Sequence, residues 1–174
     1  MILGDKHNFA IEYEVTKKYV QASDRHKLLY GRSRIFIKNE QIGNWNEENL
    51  LGVFVSSLAK IEKIKDTNIE ILRKSNDEQL KFLFVNRSSE ENEWLNLYQV
   101  LQVENFDDFN FSIFRINSKL IFMWNLAQNP VNYYPGYSND IFVKRIERDI
   151  VIRTIREFEE SWILEYNNSD YSLE

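Results

Sequence analysis

MILGDKHNFAIEYEV (residues 1–15) and LYGRSRIFIKNEQIGN (residues 29–44) set the fold of this 174-residue chain. In Phe9 to Val15 the odd positions are Phe9, Ile11, Tyr13 and Val15, while Ala10, Glu12 and Glu14 fall between them. Successive side chains of a strand point to opposite faces, so this alternation predicts a strand with one buried face. Leu28 to Ile37 predicts a second strand, and Lys38-Asn39-Glu40-Gln41 a polar turn leading into Ile42 and Gly43. Antiparallel pairing of the two strands sets Arg32 and Arg34 near Glu12 and Glu14. Cross-strand ion pairs then explain the arginines better than a phosphate-binding stripe shared with Lys38.

Outward from this block, Leu50, Leu51, Phe54, Leu58, Ile61 and Ile64 recur at helical spacing, preceded by Asn46 and Asn49 as N-cap candidates. Asp77 is placed to cap a second helix with Leu80, Leu83 and Phe84 on its core face, although Phe82-Leu83-Phe84-Val85 also suits a strand. Trp94 to Val103 is open between helix and strand. Phe109 to Ile116 and Leu120 to Leu126 flank Asn117-Ser118-Lys119, a hairpin signal, and are apolar on both faces, as central strands are. Pro130 and Pro135-Gly136 bracket a loop holding Tyr133, Tyr134 and Tyr137, and Ile141 to Ile146 follows as a last strand. Val151, Ile155, Phe158 and Trp162 mark one face of a terminal helix. Strands, a helical middle, a hairpin, then strand and helix predict an α+β fold, an antiparallel sheet of about five strands with helices packed mainly on one side. Residues 1–163 are expected to form one domain, and residues 164–174 a loose acidic tail.

The sequence has no cysteine. That excludes a disulfide framework, thiol chemistry and Cys-ligated zinc or iron–sulfur sites, and it points to the cytoplasm. Charge meets the N-terminus at Asp5 and Lys6, and the longest apolar run is Leu50 to Val55, so neither a signal peptide nor a membrane span is expected. The net charge is −5, but 12 of the 27 acids lie in two windows without Lys or Arg, residues 88–114 and 157–174. Two readings stand: solvated surface, or faces that steer a basic protein and repel nucleic acid.

No chemistry assembles along the chain. His7 and His26 each follow an aspartate by two residues (Asp5, Asp24), which is weak evidence for a metal, and no metal or cofactor is assigned. The five glycines are too dispersed for a phosphate loop, and Ser33 lacks the second glycine of a nucleophile elbow. Asp107 and Asp108 are adjacent, so in an extended segment they point apart and make a poor acid–base pair. Tyr133 and Tyr134 read equally as interface anchors or as a cap on the core. Trp94 among Glu90, Glu91 and Glu93 reads as a core residue or as a hot spot with an acidic rim. The alternatives to a protein-binding role are a small-molecule or peptide-binding module built on the tyrosine loop, and a hydrolytic enzyme using His7 or His26.

Gly4-Asp5 leading to Phe9-Ala10-Ile11-Glu12-Tyr13-Glu14, then Leu29-Tyr30-Gly31 and Phe36-Ile37-Lys38-Asn39 through Ile42-Gly43, resembles the immunity protein 42 family of bacterial polymorphic toxin systems. Phe106-Asp107-Asp108-Phe109, Phe114-Arg115-Ile116 and Phe122-Met123-Trp124 are similar in order and spacing. The chain departs from the pattern at Glu40, where a small turn residue is usual, and after Ile163, where the likeness ends. The resemblance implies a small cytoplasmic protein that binds a cognate toxin C-terminal domain and blocks it, with no catalysis of its own. Many such toxins are nucleases with basic active sites, which an acidic surface can occupy. The expected contacts are Glu90, Glu91, Glu93 and Trp94 with Asp107 and Asp108, the tyrosines Tyr133 and Tyr134, and Glu159 and Glu160.

Overall fold

The structure is a computed structural model that describes residues 1–20, 27–87, 101, 103–127, 130, 134, 136–168 and 172–173. Strands β1 (Ile2–Asp5), β2 (Phe9–Val20), β3 (Lys27–Ile37), β4 (Glu40–Ile42) and β5 (Asn49–Leu50) precede helices α1 (Leu51–Glu62), α2 (Glu70–Lys74) and α3 (Asp77–Val85). Strands β6 (Phe109–Ile116), β7 (Lys119–Leu126) and β8 (Phe142–Glu147) follow, then helix α4 (Arg148–Asn167) and a short β9 (Ser172–Leu173). The α+β class with antiparallel pairing is as expected, and the strands divide between two sheets. The larger runs β1-β2-β3-β4, with β5 also on β3 and β9 parallel to β2; the smaller runs β6-β7-β8.

β2 and β3 form a long hairpin with Phe9 opposite Ile37, Glu12 opposite Arg34 and Glu14 opposite Arg32. Its inner face is apolar: Phe9, Ile11, Tyr13, Ile35 and Ile37 are buried together with Leu51, Phe54 and Leu58 of α1 and Val151, Ile155 and Phe158 of α4. The smaller sheet closes this core from the other side, with the Phe9 and Phe122 rings stacked at 5.9 Å. Its own second face carries Phe114, Ile121, Met123 and Val143, which α2 and α3 cover with Leu72, Leu80, Leu83 and Phe84. Among the described residues the four α-helices therefore lie on one side of the larger sheet. The strands of the smaller sheet are apolar on both faces because a separate core presses on each.

On the open face of the larger sheet, Glu12 accepts from Arg34 Nε at 2.6 Å and Glu14 lies 3.7 Å from Arg32. These are the cross-strand pairs expected. The Arg34 guanidinium also lies over the Phe36 and Trp45 rings, at 5.1 and 4.6 Å.

Local expectations shift in five places. The first turn is only Lys38-Asn39, with left-handed φ of 53° and 71°, and Glu40 and Gln41 belong to β4. Two left-handed residues suit the twist of a tight hairpin. The hairpin after β6 likewise turns on Asn117-Ser118, with Lys119 already paired opposite Ile116. Neither Asn46 nor Asn49 caps α1: its N-cap is Leu50, without a side-chain bond. Asn49 is instead drawn into the interior, where its amide donates to Ser33 Oγ at 3.0 Å, beside Asn105, which donates to the same hydroxyl at 3.2 Å. In α3 the cap is Asn76, one residue before Asp77, and with Gln79 it forms a reciprocal capping box. α4 runs on through Asn167, past the start expected for the tail, and β9 lies beside Tyr19 and Val20. Among the described residues no helix is long and apolar enough to cross a membrane.

Candidate functional site

The C-terminal half of α4 is the surface where the sequence pattern and the exposed chemistry coincide. Val151, Ile155 and Phe158 hold the helix on the core, and Trp162 continues their stripe, set against Gly52 of α1 and stacked on Tyr166 at 5.1 Å. The helix also lies close against β1. A side chain at Gly4, where φ is +82°, would meet the Thr154 methyl at 2.8 Å and the Phe9 carbonyl at 2.5 Å. Tyr13 and Ser161 share a hydrogen bond of 2.5 Å, and Lys18 reaches Glu165 at 3.0 Å. The inner face is thereby fixed in register.

The outer face is exposed among the described residues. Glu157 and Glu160 are exposed, and beside them stand Ile163 and Leu164, 48% and 68% exposed. Glu159 sits at the border, half-buried between α4 and Glu62 of α1. Burial, reinforced by the Glu62 carboxylate, raises its pKa above the usual value, while Arg156 opposes the rise. Arg156 itself is bonded to Glu62. Of the acids in this window, Glu157 and Glu160 are thus the two that project outward without an ion-pair partner among the described residues.

The other expected contacts fare differently. Glu90, Glu91, Glu93, Trp94 and Tyr133 lie outside the described residues, as do His26 and Asp24. Asp107 is exposed, but Asp108 is only 5% exposed and its carboxylate accepts from the Tyr134 hydroxyl at 3.1 Å. Asp108 is therefore corrected from a surface acid to a buried acceptor, because the turn into β6 directs it inward. Tyr134 and Tyr137 both pack edge-on to Phe109, at 5.2 and 5.4 Å. The Tyr137 hydroxyl accepts from Trp124 Nε1 at 2.9 Å, and burial pushes its pKa up to about 12. Between the two readings of this loop, Tyr134 and Tyr137 serve as a cap on the core, which leaves the ligand-module reading without these anchors.

His7 stands exposed in the turn after β1, where its backbone N–H donates to Asp5 Oδ1 at 2.9 Å and Asn8 donates to the second carboxylate oxygen. The backbone bond, more than the imidazole, lowers the Asp5 pKa. Among the described residues no group of three His, Cys, Asp or Glu is placed to hold a metal ion. What sequence reasoning passed over is the aliphatic pair Ile163 and Leu164. The signal was available, since one and two residues beyond Trp162 a helix has turned away from the Val151-Ile155-Phe158-Trp162 stripe.

Fold and surface together define a two-sheet α+β protein with an exposed face on its last helix. The model of the immunity protein 42 family matches residues 1–161, and the chain belongs to that family. The fold is similar to that of CdiI from Burkholderia dolosa AUO158, whose crystal structure superposes with a TM-score of 0.59 at 15% identity, covering 92% of this chain and 99% of that one. No curated protein matches the sequence at a significant level.

Proposed function

We propose that this chain binds a cognate toxin C-terminal domain and neutralises it by direct occlusion, using the outer face of α4. Membership of an immunity protein family supports the role. The observation that carries the surface is the pairing of two bare aliphatics with two outward acids, Ile163 and Leu164 with Glu157 and Glu160. Apolar anchors inside a charged rim are the composition of a protein interface, and the sign of the rim selects a basic partner such as a nuclease surface. Asp107, together with Glu90, Glu91, Glu93 and Trp94 of the first acidic window, is assigned to a second part of the same contact. The chain acts as a stoichiometric inhibitor, in the cytoplasm, where a sequence without cysteine is at home. Nucleic acid and membrane are not its partners.

The test is calorimetric titration with the toxin domain encoded beside this chain, at low and at high salt. Expected is a Kd of roughly 10⁻⁹ M or tighter that weakens with salt. The double variant Glu157→Lys, Glu160→Lys should bind more weakly and lose most of the salt dependence while keeping its melting temperature. Unchanged binding by that variant moves the contact off α4. No binding by the parent chain overturns the role.

A further inference from the structure

β8 is an edge strand: it pairs with β7, and its other edge makes no backbone pairing among the described residues. Beside it opens a cleft of about 510 Å³ lined by Asp140, Ile141, Phe142, Val143 and Lys144, with Asp77, Glu78 and Lys81 of α3 across from them. Consecutive residues of both faces line it, so the cleft follows the edge of the first half of β8 rather than one side of the sheet. An open edge presents a row of unpaired N–H and C=O groups, a template for another strand. The opposite margin of the smaller sheet differs. There Thr67 N–H bonds to the Arg115 carbonyl and Asp66 Oδ1 accepts from the Asn117 backbone.

The charges along β8 say what fits. Its centre is Lys144-Arg145, one on each face; Arg145 is bonded to Asp77, while Lys144 has no carboxylate partner among the described residues. A second copy of the chain is a poor occupant. In two-fold antiparallel pairing a residue opposes its own copy, and the two registers that join five residues of the strand place Lys144 on Lys144 or Arg145 on Arg145. Like charges directly opposite destabilise a sheet, whereas an acid opposite Lys144 favours it.

We propose that β8 accepts an extended segment of the toxin, carrying a carboxylate opposite Lys144, as a fourth strand of the smaller sheet. This rests on the immunity role and adds a backbone contact distinct from the α4 face. It is also distinct in sign, since α4 selects basic surface and β8 an acidic strand.

The experiment is hydrogen–deuterium exchange across residues 142–147, free and saturated with the neighbouring toxin domain, with sedimentation of the free chain. Expected is a monomer in which alternate β8 amides exchange fast when free and at least about tenfold more slowly in the complex, as ladder bonds form. Lys144→Glu should weaken toxin binding about tenfold or more at an unchanged melting temperature. Tight binding with β8 amides unaffected overturns the strand addition and leaves the immunity role standing. Protection of β8 in a dimer of the free chain overturns the choice of occupant. Failure of the toxin to bind at all overturns both.

Discussion

Glu159 shows how burial and a neighbouring like charge act on one residue. Its carboxyl is half-buried beside Glu62, and both burial and that charge raise its pKa, with Arg156 offsetting part of the effect. Because the folded pKa lies above the unfolded one, the folded state holds the extra proton in the window between them. Stability from this group is therefore greatest below the ordinary carboxylate range and falls as pH rises through the raised value. At neutral pH the ionised side chain is a net burden. Glu159→Gln should accordingly raise the melting temperature at pH 7, and the advantage should shrink toward zero as the pH falls below the usual carboxylate pKa. Thermal melts of both proteins across that range decide it, and a variant less stable than the parent at pH 7 would mean that Arg156 attracts more strongly than Glu62 repels. If Glu159 also touches the toxin, the same variant binds more weakly while melting higher, a combination that pure structural damage does not produce.

At the scale of elements, the proposed contact on α4 divides its labour by side-chain type. Charges act over several ångströms and speed encounter, whereas aliphatics act only on contact and slow escape. Glu157→Lys with Glu160→Lys should therefore lower the association rate, and most at low salt; Ile163→Ala with Leu164→Ala should raise the dissociation rate about tenfold or more and leave the salt dependence unchanged. Stopped-flow and surface-binding kinetics separate the two, and equal effects of both pairs on one rate constant would remove the distinction. The stripe that buries α4 was legible because an i, i+4, i+7, i+11 pattern states its own face. The hairpin of β2 and β3 was legible for a similar reason, period two with matched charges, which set Arg32 and Arg34 near Glu12 and Glu14, while the register that puts Glu12 opposite Arg34 came only with the structure. Less legible was anything decided by distant partners. Asn49 looks like a helix cap until Ser33, sixteen residues away on β3, draws it inward. Glu40 and Gln41 read as turn because a short edge strand exposed to solvent has the same polar composition as a loop. Asp108 looks like surface acid until Tyr134 covers it. The near-continuous apolar runs of β6 and β7 showed that both of their faces are buried, yet not that the covering layers differ, since apolar content records burial and not the identity of what buries.

The whole molecule is joined through Phe122. This fully buried ring on β7 stacks on Phe9 of the larger sheet and lies 6.2 Å from Phe111 on its own sheet, in a core that also receives α1 and α4. The second core, under α2 and α3, touches only the far face of the smaller sheet. If the smaller sheet is the shared wall of both cores, neither can loosen alone, and unfolding should be a single transition despite the two sheets. Phe122→Ala leaves a void where the sheets meet, and deletions of this size in a core cost about 3–5 kcal/mol. The expected result is a large fall in melting temperature with coincident loss of far-ultraviolet ellipticity and of Trp124 fluorescence, because Trp124 lies two residues along the same strand and stacks on Phe142 at 5.0 Å. Two separated transitions would show instead that the larger sheet with α1 and α4 stands without the smaller one. Such coupling bears on function as well. The proposed contacts sit on α4 and on β8, which are consecutive in the chain and both anchored in the first core, through Ile146 and Val151. A toxin that engages both would grip one rigid body, so the two contacts should add with little loss to internal motion. The free energies lost on altering α4 and Lys144 together should then equal the sum of the separate losses to within about 0.5 kcal/mol, and a double-mutant cycle of toxin binding measures that directly.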